Sequence, residues 1–415
     1  MQPSLNDAPV GRLEVLKLRE FRFFLATRMC LTLAMQIQAL VVGWQIYQLT
    51  HDPLDLGLIG LAEVVPSIGV SLYAGHVADL VSRRRIILLC LLTLLVSTIG
   101  LWILSWPMAQ PLLQSTTFPI YAIIFVTGLG RGFIGPAIFG FLTQVVEKRQ
   151  LTTAVNWAST NWQVSSVLGL TAGGFLLDWL GLSATYLIQV MLLGLGMGMC
   201  LLIAAKPNPE IVGEYHLKER LTAGIKFIFN NQIILSAISL DLFAVLFGGA
   251  EALLPIFQKE ILQVDESGLG ILRAAPAVGA ICMAAWLAYR PIAKDAGRKL
   301  LLSVVAFGFS MILFGASQWF WLSVFALFLS GIFDYVSVII RSTLLQTHTP
   351  ENMKGRVSSV NNIFVGSSNE IGAFESGVMA RLMGTAISVI FGGCMTIVVV
   401  IITAWKAKSL RKLDL

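Results

Sequence analysis

The sequence predicts an all-α polytopic membrane protein with twelve transmembrane helices in two pseudo-symmetric six-helix bundles. The chain of 415 residues is 56% hydrophobic and only 13% charged, and its mean hydropathy is +0.79. Apolar runs of about 20 residues recur along it, which is the length that crosses the hydrocarbon core of a bilayer. A long polar segment divides these runs into two sets of six. A soluble protein with such helices would need polar helix faces, and these runs have almost none.

The apolar runs place the helices in chain order. The first run includes a tilted or interfacial start, "LKLREFRFF". The predicted ranges are 21–49, 54–78, 85–106, 118–142, 153–178, 183–205, 232–257, 267–289, 299–317, 319–343, 357–381 and 384–405.

The longest polar segment, 206–231, defines the expected domains. It separates an N-terminal bundle over 1–205 from a C-terminal bundle over 232–415. Within it, "LKERLTAGIKFIF" has an amphipathic pattern that fits a helix on the membrane surface, and a plain linker fits equally well.

An internal repeat supports two related halves. "GLAEVVPSIG" (60–69) and "GILRAAPAVG" (270–279) share two glycines and a proline at the same register. A weaker pair joins "SSVLGLTAGG" (165–174) to "SSNEIGAFESG" (367–377). Duplicated halves with a binding site near mid-membrane are a plan that many secondary transporters share.

Basic residues fix the predicted orientation. The net charge of +6 lies in short Lys and Arg clusters between apolar runs, which does not suit a nucleic-acid surface. With both termini in the cytoplasm, nearly all of these clusters fall inside, as the positive-inside rule requires. The expected location is the inner (plasma) membrane of a bacterium.

The most specific motif is "GHVADLVSRRR" (75–85), at the cytoplasmic end of the second predicted helix. Its glycine lets a neighbouring helix approach closely, and its aspartate can cap the next helix or form an ion pair with a basic residue. The motif residues are Gly75, Asp79, Arg83, Arg84 and Arg85. The pattern resembles the signature loop of the major facilitator superfamily, with Ser82 where that family usually has glycine. The resemblance implies a loop that latches the two halves together on the cytoplasmic side. The arginines alone would favour a role in setting the topology, and the spacing and position of the whole motif favour the signature loop.

Longer stretches resemble one branch of that superfamily. "GWQIYQLTHDPLDLGLIGLAEVVP" (43–66) and "DLFAVLFGGAEALLPIF" (241–257) are similar to the enterobactin-exporter-like branch, as is 333–377. This branch also resembles macrolide-efflux proteins. The resemblance implies a proton-coupled exporter that works by alternating access, acts as a monomer and needs no cofactor. Its cargo would be a small amphipathic molecule such as a siderophore; macrolides, other drugs and lysophospholipid remain the alternatives.

Charged residues inside the predicted helices are the candidate functional groups, because charges in hydrocarbon are costly and usually functional. A carboxyl group there can alternate between a protonated and an ionised form. The proton-coupling candidates are Asp241, Asp334 and Glu370. The superfamily plan implies a central cavity lined by the first, fourth, seventh and tenth helices. The cavity candidates are Arg28, Gln36, Gln38, Arg131 and Asn361, and the candidates for a gate near the outer face are Glu63, Glu251 and Glu375. The alternative for any one of these charges is a permanent ion pair between helices.

The two glutamates of "SSNEIGAFESG" are expected to have different roles. Glu370 and Glu375 are five residues apart, so they point about 140° apart around a helix. Glu370 lies nearer the midplane and is the better candidate for proton or cargo chemistry. Glu375 is the candidate for a gate or a close helix contact.

An enzyme or an ATP-driven pump is not expected. The four histidines are scattered, and no zinc-protease, nucleophile-elbow or phosphate-loop motif is present. The five cysteines lie in apolar runs without metal-ligand spacing, so no metal site is predicted.

Overall fold

Long apolar helices follow one another along the chain in the computed structural model of the protein. The structure describes residues 14–206, 217–290, 295–350, 353–407 and 411; within some helices it describes the backbone alone, as at Gly75 and Asp79. Every regular element in these ranges is helical. The predicted all-α membrane class is therefore confirmed.

The described residues up to 206 contain seven α-helices. They are α1 (Glu14–Lys17), α2 (Arg19–Thr50), α3 (Pro53–Leu80), α4 (Arg83–Leu104), α5 (Gln110–Ser115), α6 (Phe118–Val145) and α7 (Leu151–Leu201). The described ranges from residue 217 onward contain eight more α-helices. They are α8 (Leu217–Asn230), α9 (Gln232–Gly248), α10 (Leu254–Ile256), α11 (Glu266–Tyr289), α12 (Ala296–Ala316), α13 (Phe320–His348), α14 (Lys354–Met383) and α15 (Thr385–Lys406).

Helix α7 is two helices joined at a bend. Gly181 within it has φ 78°, a left-handed conformation that glycine adopts without a side-chain clash. The bend falls between the fifth and sixth predicted spans, 153–178 and 183–205. Glycine at this position thus converts one continuous apolar run into two membrane crossings.

Ten helical stretches in the described part of the chain are long and apolar enough to cross a membrane. One of them is the bent α7, which supplies two crossings. Helix α14 is 30 residues long but too polar to be counted with these ten. With α7 counted twice and α14 included, the helices correspond to the twelve predicted spans.

The seventh predicted span, 232–257, is interrupted in the structure. Helix α9 ends at Gly248, and a 3₁₀ turn over Glu251–Leu253 and a π-helical segment over Phe257–Ile261 follow. The consecutive glycines Gly248 and Gly249 explain the break, because glycine is the poorest helix former after proline.

The chain folds into two compact units. The first comprises Met1–Val41 and Val65–Glu214, and the second comprises Val42–Val64 and Tyr215–Leu415. The division into bundles over 1–205 and 232–415 stays a prediction. Val42–Val64 is the tip of the hairpin that α2 and α3 form, and we call it the hairpin tip.

Each unit has its own apolar core. In the first, side chains from α2, α4, α6 and α7 pack together, with Phe21, Leu91 and Phe141 almost fully buried. In the second, Leu300 and Leu344 are among the residues that join α9, α12, α13 and α15. A further cluster packs α8 onto α9 and α14 through Ile228. The amphipathic pattern in the polar segment therefore forms a helix that is part of the second unit's core.

The hairpin tip lies against α14 with almost no space between the backbones. A Cβ at Gly57 would be 2.9 Å from the Phe374 Cα, and one at Gly377 would be 2.8 Å from the Pro53 carbonyl oxygen. Side chains do not fit at either position without displacing backbone. The glycines of α14 thus let the hairpin tip pack directly on it.

Candidate functional site

A buried ion pair joins two helices of the second unit. Arg341 of α13 donates through Nη1 to Asp241 Oδ2 of α9. The two side chains are only 8% and 6% exposed. A buried charge is costly unless an opposite charge compensates it. Each of the two residues therefore needs the other to remain charged at this depth.

A second carboxylate lies close to this pair. Asp334 precedes Arg341 by seven residues on α13, which places the two about 20° apart around the helix axis and about 10 Å apart along it. Electrostatic interactions join Asp334 to Asp241, Arg341 and Glu251. Asp334 is exposed, whereas Asp241 and Arg341 are buried.

Arg341 is the site residue that the sequence patterns did not single out. Its Nε is buried and has no hydrogen-bond partner, so the guanidinium has a donor left over after it has paired with Asp241. The seven-residue spacing from Asp334 is the signal that could have identified it. It lies two residues before the end of the tenth predicted span, 319–343, where no pattern in the sequence set it apart.

The two glutamates of α14 have different surroundings. Glu370 lies beside the hairpin tip, where a Cβ at Gly60 would be 2.9 Å from its Oε2. Glu375 is half-buried, and its Oε1 is buried without a hydrogen-bond partner. Next to it, the Ser376 hydroxyl donates to the Gly249 carbonyl oxygen at 2.8 Å. The expected difference in role between the two residues stays a prediction. The structure adds that Glu370, too, lies at a close helix contact, with Gly60 of α3.

Polar contacts hold the hairpin tip within the second unit. The Tyr47 hydroxyl donates to Glu260 Oε1, and Lys259 Nζ donates to Gln48 Oε1. Arg381 lies 3.4 Å from Asp52, with side chains 57% and 29% exposed. Of the outer gate candidates, Glu63 is half-buried in the hairpin tip and Glu251 is exposed just beyond α9.

Cavity candidates of the first unit lie on α2 and α6. Arg28 lines a small, partly open recess with Phe24 and Thr27, and its volume of about 10 Å³ holds a single water at most. Gln38 is buried, and its Nε2 has no partner. Gln36 and Arg131 are half-buried, as is Asn361 on α14 in the second unit.

The arginines after α3 bind the ends of other helices in the first unit. Arg83 Nη1 donates to the Gly140 carbonyl oxygen at 2.7 Å, near the end of α6. Arg84 donates to the carbonyl oxygens of Cys200 and Leu201, at 3.3 and 2.8 Å, at the end of α7. Cations near the carbonyl ends of helices complement the helix dipole. Arg85 is exposed, and the surroundings of Gly75 and the side chain of Asp79 lie outside what the structure describes.

Comparison with known proteins decides the family. The model of the Major Facilitator Superfamily matches residues 24–373. The chain belongs to this superfamily. The predicted resemblance to this superfamily is thereby confirmed, and the protein is a membrane transporter. The latch role of the "GHVADLVSRRR" loop stays a prediction.

Relatives and solved structures agree with this assignment. The chain is similar to the enterobactin exporter EntS of Escherichia coli O1:K1 / APEC, with 26% identity over 88% of this chain and 86% of the relative. The same figures hold for EntS of Shigella boydii serotype 18. The POT family transporter PepTSo shares the fold at a TM-score of 0.73 and 13% identity, over 96% of this chain and 99% of its own. A bacterial homologue of the human lysosomal transporter Spinster shares the fold at a TM-score of 0.70 and 15% identity. That match covers 95% of this chain and 96% of the homologue.

Proposed function

We propose that this transporter is a proton-coupled exporter of a small amphipathic molecule. Cargo leaves the cytoplasm while a proton enters, and the two halves give alternating access to a central site. The observation that carries the proposal is the group formed by Asp241, Arg341 and Asp334, because buried and partly buried charges in spanning helices are costly and mark transport pathways.

The cargo we propose is a siderophore. The named relatives are enterobactin exporters, and they align with this chain over most of their length. Outward transport is proposed on the same ground. Drug efflux is the second candidate, because Asp334 and Glu251 add acidic groups beside a compensated ion pair, and acidic groups favour cationic compounds.

The orientation we propose has both termini in the cytoplasm of a bacterial cell, in the inner membrane, and the protein acts as a monomer. Two arginines after α3 are bound to the carbonyl ends of α6 and α7. With a cytoplasmic N-terminus, this basic loop would lie on the cytoplasmic side, as the positive-inside rule favours.

Two experiments test the proposal. Metabolites secreted under iron limitation are compared between wild-type cells and a deletion strain, and we expect the siderophore to accumulate inside the deletion strain. Antibiotic sensitivity without a secretion defect would favour drug efflux instead. Proton coupling is tested in liposomes with Asp241→Asn, Asp334→Asn and Glu370→Gln. Transport of wild-type rate and proton dependence in all three variants would contradict it.

A further inference from the structure

Two buried glutamines of the first unit have amide atoms without hydrogen-bond partners. Gln189, in the second half of α7, is fully buried, and Gln38 on α2 is 6% exposed. Neither Nε2 nor Oε1 of Gln189 has a partner among the described residues, and the same holds for Gln38 Nε2. A buried amide without a partner is costly, and nearly all buried polar groups in proteins are bonded to protein or to ordered water.

Helix α2 and the second half of α7 run antiparallel and are in direct contact. The Thr27 hydroxyl donates to the Gly196 carbonyl oxygen at 3.2 Å. Nearer the start of α2, the Ala204 backbone N–H donates to Glu20 Oε1, also at 3.2 Å. A Cβ at Gly196 would be 3.1 Å from the Cys30 Cβ, so the two helices approach closely there. These contacts fix the register of the pair.

The register places the two glutamines on the facing sides of these helices. Gln38 follows Thr27 by eleven residues and Gln189 precedes Gly196 by seven, so each lies about 20° around its helix axis from that contact. At 1.5 Å per residue, their Cα atoms differ by about 6 Å in height along the pair. Side chains tilt toward the N-terminus of their helix, and in this antiparallel pair the tilt brings the two amides toward each other.

The unpartnered atoms of the two amides include both donors and an acceptor. Gln38 Nε2 and Gln189 Nε2 can each donate, and Gln189 Oε1 can accept. The nearby Thr185 hydroxyl does not serve them, because it donates to the Gly181 carbonyl oxygen at 2.8 Å. Water both donates and accepts, and a buried water commonly makes about three hydrogen bonds. Cargo does not reach an amide that is fully buried.

We propose that Gln38 and Gln189 hold buried water, and that this water bonds α2 to the second half of α7 inside the membrane. The water accepts from the Nε2 groups and donates to Gln189 Oε1. Ala34, one turn before Gln38, contributes only a methyl group to the space that the amides face. The site lies in the first unit, apart from the charged groups of the second, and holds for any cargo.

Radiolytic labelling of the purified full-length protein detects such water directly. An X-ray pulse converts water, bound or bulk, into hydroxyl radicals that modify the side chains beside it. Tyr186 precedes Gln189 by three residues on α7 and is fully buried, so bulk water does not reach it. We expect Tyr186 to be hydroxylated in wild type, and its labelling should fall severalfold in Gln189→Met. An unlabelled Tyr186 in wild type, or equal labelling in the two proteins, would overturn the proposal.

Thermal unfolding tests whether the two glutamines share the water. Gln189→Met and Gln38→Met keep the length of the side chain and remove its amide. Each should lower the melting temperature, and the double variant should lose little more than either single variant, because one substitution already breaks the bridge. Replacing an amide in a dry site would instead raise the melting temperature, since it removes an unsatisfied buried group.

Gln36→Met is the matched control for the shared site. Gln36 is half-buried on another face of α2, so its effect should simply add to that of Gln189→Met. The shared site is contradicted if the single variants at Gln38 and Gln189 melt at higher temperatures than wild type. Losses at these two positions that add as fully as those of the control pair would contradict it as well.

Discussion

Removing either member of the pair between Arg341 and Asp241 should destabilise the protein far more than removing both. Arg341→Gln leaves a carboxylate that is 6% exposed, and Asp241→Asn leaves a guanidinium that is 8% exposed. At this depth solvent does not screen the remaining charge, and each single variant should lose about 3–5 kcal/mol of the free energy of unfolding. The double variant buries no lone charge and should lose much less than the sum. The coupling free energy, which is the sum of the two single losses minus the loss in the double variant, is therefore expected to exceed about 3 kcal/mol.

The assay is unfolding of all four proteins in the same detergent micelles by denaturant titration. A surface pair supplies the control. Arg381 lies 3.4 Å from Asp52 with 57% of its side chain exposed, so Arg381→Gln should cost only about 0–1 kcal/mol. If the effects of Arg341→Gln and Asp241→Asn simply add, the pair is not a coupled buried unit and the reasoning is refuted.

Three further substitutions test particular contacts and conformations in the structure. Gly377→Ala would place a Cβ 2.8 Å from a carbonyl oxygen of α3, so it should reduce both transport and thermal stability. Its control is Gly366→Ala, whose Cβ meets no atom within 4 Å and should leave transport and thermal stability unchanged. In Gly181→Ala an alanine must adopt the left-handed φ of 78°, so the free energy of unfolding should fall by about 1–2 kcal/mol. Gly198→Ala is its control, because an added Cβ meets no atom within 4 Å at either position and only Gly181 has a positive φ. Arg84→Gln removes two hydrogen bonds to the end of α7 and should speed amide hydrogen exchange there.

The architecture could be predicted from the sequence because hydrophobic length determines it. Apolar runs and short polar breaks indicated the twelve spans, and the Gly-rich register of 367–377 suggested a close helix contact. The break after Gly248 was missed because the apolar stretch continues beyond the end of α9. Helix propensity falls at Gly248 and Gly249, and hydropathy does not register that fall.

The site was only partly predictable. Asp241 and Asp334 were identified as charges in hydrocarbon, but composition does not show which charge compensates which. Arg341 pairs with Asp241 across 100 positions of the sequence, and only tertiary packing brings them together. In the same way, the association of Val42–Val64 with the second unit depends on the packing of α14, which no local pattern encodes.

Proton exchange against cargo is the central claim, and one measurement tests it most directly. Purified protein is reconstituted into vesicles with an acidic interior, and the pH gradient is followed with a fluorescent dye while ethidium, an amphipathic cation, is added outside. We predict that the addition partly dissipates the gradient with wild type and leaves it unchanged with Asp334→Asn. An unchanged gradient with wild type, in vesicles that still take up ethidium through the protein, would contradict proton coupling.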